Sequence, residues 1–280
     1  MQHLSSEMRA SIPDPWTLAI AGFLAAQQAA GLPKTTIYTR RQHLEHLARR
    51  IGEGTPWAVT GDRLVTWAGS QTWARETRRG RRTTFRAFWV WGIEAGHTST
   101  NPAAKLPRVK PAVPLPHPCP DTVFHTAMRR ADDRERLMMR LAADCGMRRG
   151  EIAVAHSDDV FEDLLGWTIV VHGKGGKQRN VPLTSGLAAI LRVQPYGYFF
   201  PGDEDGHLSP RWVGKLINRL LDGDWTIHSL RHRFASRAHR VNRDLAVVQD
   251  LLGHASPATT RIYVATDDAD RRRTIEAIAS

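Results

Sequence analysis

Apolar residues in the first hundred positions of this 280-residue chain recur every three or four residues, which is the spacing of an amphipathic helix. Leu44, Leu47 and Ile51 follow this spacing, while Arg49 and Arg50 fall largely on the opposite face. A longer helix is predicted over 75–94, where Phe85, Phe88, Trp89 and Ile93 form the apolar side and Gly96 ends the pattern. The pattern therefore predicts an all-helical N-terminal region.

Two further helix starts complete this region. Pro13-Asp14-Pro15-Trp16 predicts a first helix, with Asp14 as its N-cap and Pro15 in its first turn. Thr60 or Asp62 is expected to cap a short third helix that carries Leu64, Val65 and Trp67. Four helices are thus expected between residues 12 and 105.

Prolines mark the clearest boundary in the chain. Seven of the 16 prolines lie between residues 101 and 120. Proline lacks the amide N–H that a helix interior needs, so this stretch predicts an extended, semi-rigid connector. We expect a helical domain over 12–105, a linker over 106–120 and a second domain over 121–280.

The pattern after the linker is mixed. A helix is predicted over 132–144, and two β-rich runs over 167–171 and 179–183 predict strands joined across the glycines at 173–176. Helices are predicted again over 211–221, 228–239 and 244–252, the last closed by Gly253. Ser256-Pro257 then suits the start of a helix that carries Tyr263. The expected fold class is multidomain and mainly α, with a small β-sheet in an α+β second domain.

The net charge of the chain indicates the class of its binding partner. The formal net charge is +11, which indicates a polyanionic partner, although solubility alone is the simpler explanation of a basic chain. Residues 1–105 hold 14 Lys and Arg against 7 Asp and Glu, a net of +7, and the longer remainder holds 25 against 21, a net of +4. This uneven distribution favours a contact face.

Six arginines lie in the first half of the predicted helix over 75–94 and are offset there only by Glu76. Like charges three or four residues apart destabilise a helix unless something neutralises them, and phosphates would do so. A solvated helix face is the alternative. Together with two arginines of the second predicted helix, these are the expected DNA-contacting residues of the N-terminal region: Arg40, Arg41, Arg75, Arg78, Arg79, Arg81, Arg82 and Arg86.

The two cysteines, Cys119 and Cys145, form no metal-binding spacing and no obvious disulfide framework, which fits a reducing cytoplasm. No signal peptide and no apolar run of about 18 residues is present, so neither secretion nor membrane spanning is indicated. We expect a cytoplasmic protein with no membrane partner.

One ordered set of residues carries candidate chemistry. It comprises Arg148, Lys174, His228, Arg231, His254 and Tyr263. Guanidinium groups match the non-bridging oxygens of a phosphate and stay charged at any working pH. Tyrosine supplies a nucleophile that becomes a covalent phosphoester, and lysine or histidine moves the protons. The set therefore predicts attack on a phosphodiester without a cofactor or a metal ion.

In their order and spacing these residues resemble the catalytic signature of the tyrosine recombinases, the phage integrase and Xer-type family. The resemblance spans roughly residues 12–280 and rests on the whole constellation, with 254 − 231 = 23 and 263 − 254 = 9 residues between its last members. It implies a four-helix, SAM-like core-binding domain followed by a catalytic domain. Ser229 departs from the family pattern, in which an Asp often follows the first histidine.

The resemblance also assigns roles. Arg148 and Arg231 are expected to clamp the phosphate, with Glu151 one helical turn on to orient Arg148. Lys174 is the expected general acid, with Lys177 as its competitor, and Lys177 or Arg179 is expected on the DNA backbone. His228 could instead be a histidine of the hydrophobic core or a zinc ligand. No third metal ligand is evident in the sequence, so no metal is expected.

Partners follow from the same resemblance. We expect double-stranded DNA with inverted core half-sites, a monomer free in solution and a homotetramer on two DNA sites, with a directionality or DNA-bending protein as a possible accessory. About 11 residues precede the first predicted helix, which predicts no arm-type DNA-binding domain. The tail after Tyr263 is expected to form an exchange helix that docks on a neighbouring protomer, with a frayed terminus as the alternative.

Three alternatives stay open at this point. The role is expected to be that of a small phage or mobile-element integrase, with Xer-like dimer resolution as the alternative. A type IB topoisomerase-like enzyme shares this kind of site but acts on one duplex. A DNA-binding regulator with a decayed site is the alternative from another class, and replacement of Tyr263 by Phe separates it from an enzyme.

Overall fold

The computed structural model describes residues 11–52, 54–112, 116–253 and 275–278. The chain divides into two compact units, Met1–Val113 and Pro114–Ser280. The division falls inside the stretch predicted as a linker, and the individual domain bounds stay a prediction. The two units are called the N-terminal and the C-terminal unit below.

The N-terminal unit contains the four predicted helices. They are α1 (Asp14–Ala29), α2 (Lys34–Ile51), α3 (Gly61–Ser70) and α4 (Arg75–Glu94). Their apolar faces meet in an aromatic core in which the side chains of Trp16, Phe23, Phe88 and Trp89 are at most 1% exposed. The ring of Trp16 stacks on that of Phe88 with centroids 6.2 Å apart. The hydrophobic spacing therefore placed Phe85, Phe88 and Trp89 in the core correctly, whereas Ile93, predicted on the same apolar side, is 41% exposed.

Two local predictions in this unit need correction. Asp14 is the first residue of α1, and Pro13 occupies the cap position without a side-chain hydrogen bond, because the proline in the first turn already sets the backbone for a helix. The stretch from residue 101 is not extended throughout, since Pro102–Lys105 forms a 3₁₀ turn. Ala103 and Leu106 of this segment are buried in the N-terminal core. Thr60 does cap α3, accepting the N–H of Arg63 at 3.3 Å.

Helices also dominate the C-terminal unit. The described helices are α5 (Asp121–Arg130), α6 (Asp133–Asp144), α7 (Arg149–Ala153), α8 (Ser185–Arg192), α9 (Pro210–Asn218), α10 (Ile227–Asn242) and α11 (Leu245–Leu252). Asp132 caps α6 through a reciprocal pair of hydrogen bonds with Glu135, and Gly253 ends α11 in the left-handed conformation at φ 62°. The mainly helical fold class with a small sheet is confirmed.

A three-stranded antiparallel sheet lies among these helices. Its strands are β1 (Val160–Asp163), β2 (Gly166–His172) and β3 (Gln178–Pro182), in the order β1-β2-β3, and a short strand β4 (Pro201–Glu204) lies apart from it. The β2–β3 hairpin was predicted, whereas β1, α5 and α8 were not. Ile169, Val171 and Val181 are buried on one face of the sheet and join the core formed by the helices.

Both cysteines are buried as free thiols. Within the described residues, no helix has the length and apolar character needed to cross a membrane.

Candidate active site

A single buried carboxylate organises the predicted residues of the C-terminal unit. The side chain of Glu151, on the short helix α7, is 5% exposed. Its Oε1 accepts a hydrogen bond from Nη1 of Arg148 at 2.6 Å, and its Oε2 accepts one from Nη2 of Arg179 at 2.8 Å. Nη1 of Arg231 lies 3.7 Å from the same Oε2. The structure thus brings three guanidinium groups to one glutamate.

Local backbone geometry holds Glu151 and Arg148 together. Arg148 occupies the cap position of α7 with an extended backbone, and Glu151 is the third residue of the helix. The carboxylate therefore also accepts the backbone N–H of Arg148, at 2.9 Å. An acidic group near a helix N-terminus satisfies amide groups that have no partner within the helix. The Arg-x-x-Glu spacing is what places both groups at one helix start.

Arg231 is fully buried, with 0% of its side chain exposed. It projects from the second turn of α10 and donates from Nη1 to the carbonyl of Gly146 and from Nη2 to that of Leu252 at 2.7 Å. Gly146 adopts φ 63°, and a Cβ atom there would lie 2.5 Å from the ring of Phe234. Glycine is therefore required for the turn that presents its carbonyl to Arg231.

The electrostatics of this cluster favour a bound anion. Burial raises the pKa of Glu151, but the hydrogen bond and the charge of Arg179, followed by the N–H and charge of Arg148, outweigh it and hold the pKa below its usual value. Glu151 is therefore ionised at neutral pH. Three arginines against one carboxylate leave a formal surplus of two positive charges, 3 − 1 = 2.

His228 joins the cluster from the first turn of α10. Burial, followed by the charges of Arg231, Arg148 and Arg149, lowers its pKa below the ordinary 6.5, so the ring is neutral at pH 7. Its ring centroid lies 4.6 Å from that of His232. Nδ1 of His232 accepts the backbone N–H of His117 at 3.0 Å, which ties the end of the proline-rich segment to α10. Among the described residues, no three metal-ligating side chains are grouped for a metal ion.

The turn between β2 and β3 starts beside this cluster at Gly173, which precedes Lys174. The N–H of Gly173 donates to the carbonyl of Lys177 at 2.7 Å and closes the turn. A Cβ atom at Gly173 would lie 3.9 Å from Oε1 of Glu151, so the base of the turn is next to the carboxylate. The side chain of Lys174 lies outside the described part of the structure. The side chain of Lys177 is exposed.

Two predicted residues fall outside the described residues: His254 and the nucleophile Tyr263, together with the predicted helix start at Ser256-Pro257. Gly253, the last described residue before them, directly follows α11. Of the predicted exchange helix, residues 275–278 are described, and they are helical and exposed.

The arginines of the N-terminal unit divide into two groups. Arg78, Arg81 and Arg82 are engaged within the unit. Arg78 donates to the carbonyls of Ala68 and Gln71, both at 2.7 Å, and Arg82 donates to that of Leu106 at 3.0 Å. Arg81 contacts Nδ1 of His46 at 2.9 Å and lies over the ring of Trp73 at 4.4 Å. Three of the six predicted arginines of α4 thus contribute to the fold of this unit.

The remaining predicted arginines are more accessible. Arg41, Arg75 and Arg79 are exposed, and Arg79 pairs with Glu76 at 3.1 Å. Arg86 is half-buried, as is Arg40, which donates to the side chain of Gln27. A polar groove of about 390 Å³ is lined by residues of α2 and α4, among them Arg40, Arg79, His43, Glu76 and several threonines.

Sequence reasoning placed Arg179 on the DNA backbone and missed its contacts inside the unit. Its side chain is 9% exposed, and Nε donates to the carbonyl of Leu251 at 2.8 Å in addition to the bond with Glu151. One signal was present in the sequence. Successive strand residues face opposite sides, so Arg179 shares a face with Val181, which is buried.

Comparisons with known proteins identify the family of the chain. The Phage integrase family matches residues 122–270. Tyrosine recombinase XerC of Chromobacterium violaceum is 34% identical over 275 residues, which cover 89% of this chain and 90% of that protein. Tyrosine recombinase XerC of a Mycobacterium species is 28% identical over 263 residues, covering 81% and 87% of the two chains.

Solved structures share the fold. A lambda integrase dimer bound to a COC' core site has a TM-score of 0.70 at 18% identity, covering 94% of this chain and 81% of that one. XerH site-specific recombinase bound to a palindromic difH substrate has a TM-score of 0.67 at 20% identity, covering 90% and 82%. The family match and the 34% identity to XerC of Chromobacterium violaceum establish the family. This chain belongs to the phage integrase family of tyrosine recombinases, and it is an enzyme that cleaves and rejoins DNA at specific sites.

Proposed function

We propose that Arg148 and Arg231 of the Glu151 cluster bind the scissile phosphate of a DNA core site and that Tyr263 attacks it. The phenolic oxygen forms a bond to phosphorus while the bond from phosphorus to the 5′-oxygen breaks. The products are a 3′-phosphotyrosine and a free 5′-hydroxyl. Because the phosphodiester energy is kept in the phosphotyrosine, the reverse attack by a 5′-hydroxyl needs neither a nucleotide nor a metal ion.

The observation that carries this proposal is the set of three guanidinium groups around one buried carboxylate. A phosphodiester has one negative charge, and the pentacovalent transition state has two. The cluster's formal surplus of two positive charges complements the transition state better than the ground state, which is the condition for catalysis. An arginine on a phosphoryl transition state contributes about 10³–10⁵ in rate in other enzymes.

The protons need two further groups. An unperturbed tyrosine has a pKa of about 10, so Tyr263 needs adjacent positive charge or a base to become nucleophilic at neutral pH. His228 is suited to take up the proton that Tyr263 loses and to donate its other ring N–H to the phosphate, because burial and the neighbouring arginines keep the ring neutral at pH 7. We assign to Lys174 the proton that the departing 5′-oxygen takes up, and to His254 a second hydrogen bond on the phosphate. The base of the Lys174 turn lies next to Glu151, which supports the first assignment.

Strand exchange then follows from the same chemistry on two duplexes. A 5′-hydroxyl released from one duplex attacks the phosphotyrosine of the other and produces a Holliday junction. One of the structural neighbours is a lambda integrase tetramer bound to a Holliday junction, with a TM-score of 0.70. We propose the same assembly here, on inverted core half-sites and in the cytoplasm, with Arg41, Arg75 and Arg79 of the N-terminal unit among the phosphate contacts.

Covalent trapping tests the reaction. The purified protein is mixed with nicked suicide duplexes made from fragmented host and phage attachment-region DNA, and adducts that resist SDS are collected. We expect an adduct with the wild type and none with Tyr263→Phe, which keeps its DNA binding. An adduct that survives in Tyr263→Phe would refute the assignment of the nucleophile, and binding without any adduct would favour a DNA-binding regulator.

The biological role has two candidates. We propose integration of a phage or mobile element as the first, on the resemblance of the whole constellation to that family. The close match to tyrosine recombinase XerC over 90% of that protein's length favours dimer resolution as the second. Sequencing of the trapped DNA separates them, because an integrase captures the junctions of an inserted element and a dimer-resolving enzyme captures a chromosomal or plasmid site present in uninfected cells.

A further inference from the structure

Arg179 has a role in the active site that its place in the sequence did not reveal. Its guanidinium donates along one edge to two acceptors that belong to different helices. Nη2 reaches Oε2 of Glu151, on α7, and Nε reaches the carbonyl of Leu251, in the last turn of α11, both at 2.8 Å. Its side chain is 9% exposed, so both contacts are largely shielded from solvent.

The first contact fixes the carboxylate that holds Arg148. Oε2 of Glu151 accepts from Arg179 and from the backbone N–H of Arg148, which leaves Oε1 directed at the Arg148 guanidinium. Without Arg179, Oε2 would keep one donor, the N–H of Arg148, and the carboxylate would be less restrained about its terminal torsion. The bond from Arg179 therefore restrains where Arg148 presents its charge.

The second contact fixes the end of α11. The last carbonyls of a helix have no partner within the helix, and cations stabilise this end. Arg179 binds the carbonyl of Leu251, and Arg231 binds that of Leu252. Gly253 packs directly on the first of these arginines, since a Cβ atom there would lie 2.9 Å from Cδ of Arg179. The next residue in the chain is His254.

We propose that Arg179 is a positioning residue, and not a phosphate contact, that aligns Arg148 through Glu151 and at the same time holds the end of α11 that leads to His254. This inference rests on the proposed function. The planar guanidinium of Arg179 joins strand β3 to Glu151, which holds Arg148, and to the end of α11, which precedes His254. Lysine cannot replace it, because an ammonium ion does not present two parallel N–H groups.

The test compares Arg179→Met and Arg179→Lys with the wild type on the core duplex recovered by covalent trapping. DNA affinity is measured over a series of salt concentrations, and the cleavage rate is measured with the suicide form of the same duplex. We expect both variants to keep the wild-type dependence of log affinity on log salt, because no phosphate contact is lost. The cleavage rate is expected to fall about a hundred-fold, as it does when a reacting group is displaced by about 1 Å.

A double-mutant cycle asks whether Arg179 acts through Glu151. If it does, Arg179→Met adds little to Glu151→Gln, and the double variant cleaves within about three-fold of the slower single variant. Arg192→Met is the matched control. It removes one guanidinium from the same unit, where Arg192 lies over the ring of Trp167, and it is expected to leave cleavage and salt dependence unchanged. Arg179→Lys keeps the charge and serves where Arg179→Met fails to fold.

Three results would overturn the inference. A salt slope lower by about 0.9 in Arg179→Met, with a wild-type slope in Arg179→Lys, would identify a phosphate contact. A wild-type cleavage rate in Arg179→Lys would show that a planar group with two parallel N–H donors is not required at this position. Multiplied effects in the double variant would show that Arg179 acts independently of Glu151. If the wild type itself forms no adduct, the proposed function fails first, and this inference fails with it.

Discussion

Replacement of Glu151 by glutamine removes the one negative charge that holds the arginine cluster together. Glutamine has the same shape, but it offers one acceptor where glutamate offers two. If its carbonyl oxygen keeps the place of Oε2, where Arg148 N–H and Arg179 donate, its NH₂ group faces Nη1 of Arg148, which is also a donor. The variant therefore loses an ion pair and creates a contact between two donors.

The structure gives the size of the effect. Loss of one partner from a buried ion pair costs about 3–5 kcal/mol, because the remaining charge stays buried without compensation. We expect about 3 kcal/mol, the low end, since the Arg148 side chain is 41% exposed to screening by solvent and the buried Arg179 keeps its bond to the carbonyl of Leu251. In a unit of 280 − 113 = 167 residues, this corresponds to a fall in melting temperature of about 6–12 °C.

Calorimetry of the wild type and of Glu151→Gln from pH 7 to well below the ordinary pKa of 4.5 tests both the size and the sign. The folded state holds the pKa of Glu151 below the ordinary 4.5, so this group stabilises the fold above that pH and loses its contribution as the pH falls through the lowered pKa. The difference between the two proteins should therefore be largest at pH 7 and shrink in the acid range. Glu162→Gln, at an exposed position on β1, is the control and should be within about 0.5 kcal/mol of the wild type. A difference under 2 °C for Glu151→Gln at pH 7 would refute the role of this carboxylate.

Three further changes test other parts of the molecule. Gly146→Ala should lower the free energy of unfolding in urea by about 2–5 kcal/mol, because alanine is strained in the left-handed backbone and its Cβ atom would lie 2.5 Å from a ring carbon of Phe234. A loss under 1 kcal/mol would contradict this geometry. Asp121→Asn should cost about 1 kcal/mol by the same measurement, because Arg233, 5% exposed, donates to this carboxylate at 2.7 and 3.0 Å. An unchanged urea midpoint would count against a stabilising role of this ion pair. Burial lowers the pKa of His46 to about 4, so the N-terminal unit should lose stability as the pH falls below 6.5. Unfolding followed by tryptophan fluorescence should show a smaller loss of stability between pH 7 and 5 in His46→Gln than in the wild type. An equal loss would exclude this histidine as the cause.

Periodic segments were the most predictable part of the fold. The helix predicted over 75–94 is α4 with the same bounds, and Gly253 ends α11 as expected. Both have strong local signals, since one is a long amphipathic run and the other a glycine in the left-handed region. The elements that were missed are short. The helix α5 begins directly after Pro120 and was hidden by the proline-rich stretch before it, and β1 has four residues, one half-buried and three exposed.

Side-chain contacts between distant segments were less predictable. Arg81 belongs to a run that reads as a solvated or DNA-facing surface, but it reaches His46, 35 residues earlier, and stacks on Trp73. Arg179 reaches Leu251, 72 residues later. Composition and spacing record the charge of an arginine but not its acceptor, and the acceptor is set by the tertiary fold. The order of the candidate catalytic residues was legible from the sequence, whereas the anchoring of Glu151 was not.

The end of α11 combines backbone and side-chain constraints and offers a discriminating substitution. Gly253→Ala forces alanine into φ 62° and places a Cβ atom 2.9 Å from Cδ and 3.2 Å from Nη1 of Arg179. Gly31→Ala is the matched control, because Gly31 also follows a helix at φ 71° but meets nothing within 4 Å. Both variants incur the left-handed cost of about 1–2 kcal/mol, measured by urea unfolding. Only Gly253→Ala displaces the arginine, so it alone should slow covalent capture, by about a hundred-fold if the shift approaches 1 Å. Equal capture rates in the two variants would show that the contact between α11 and Arg179 has no part in catalysis.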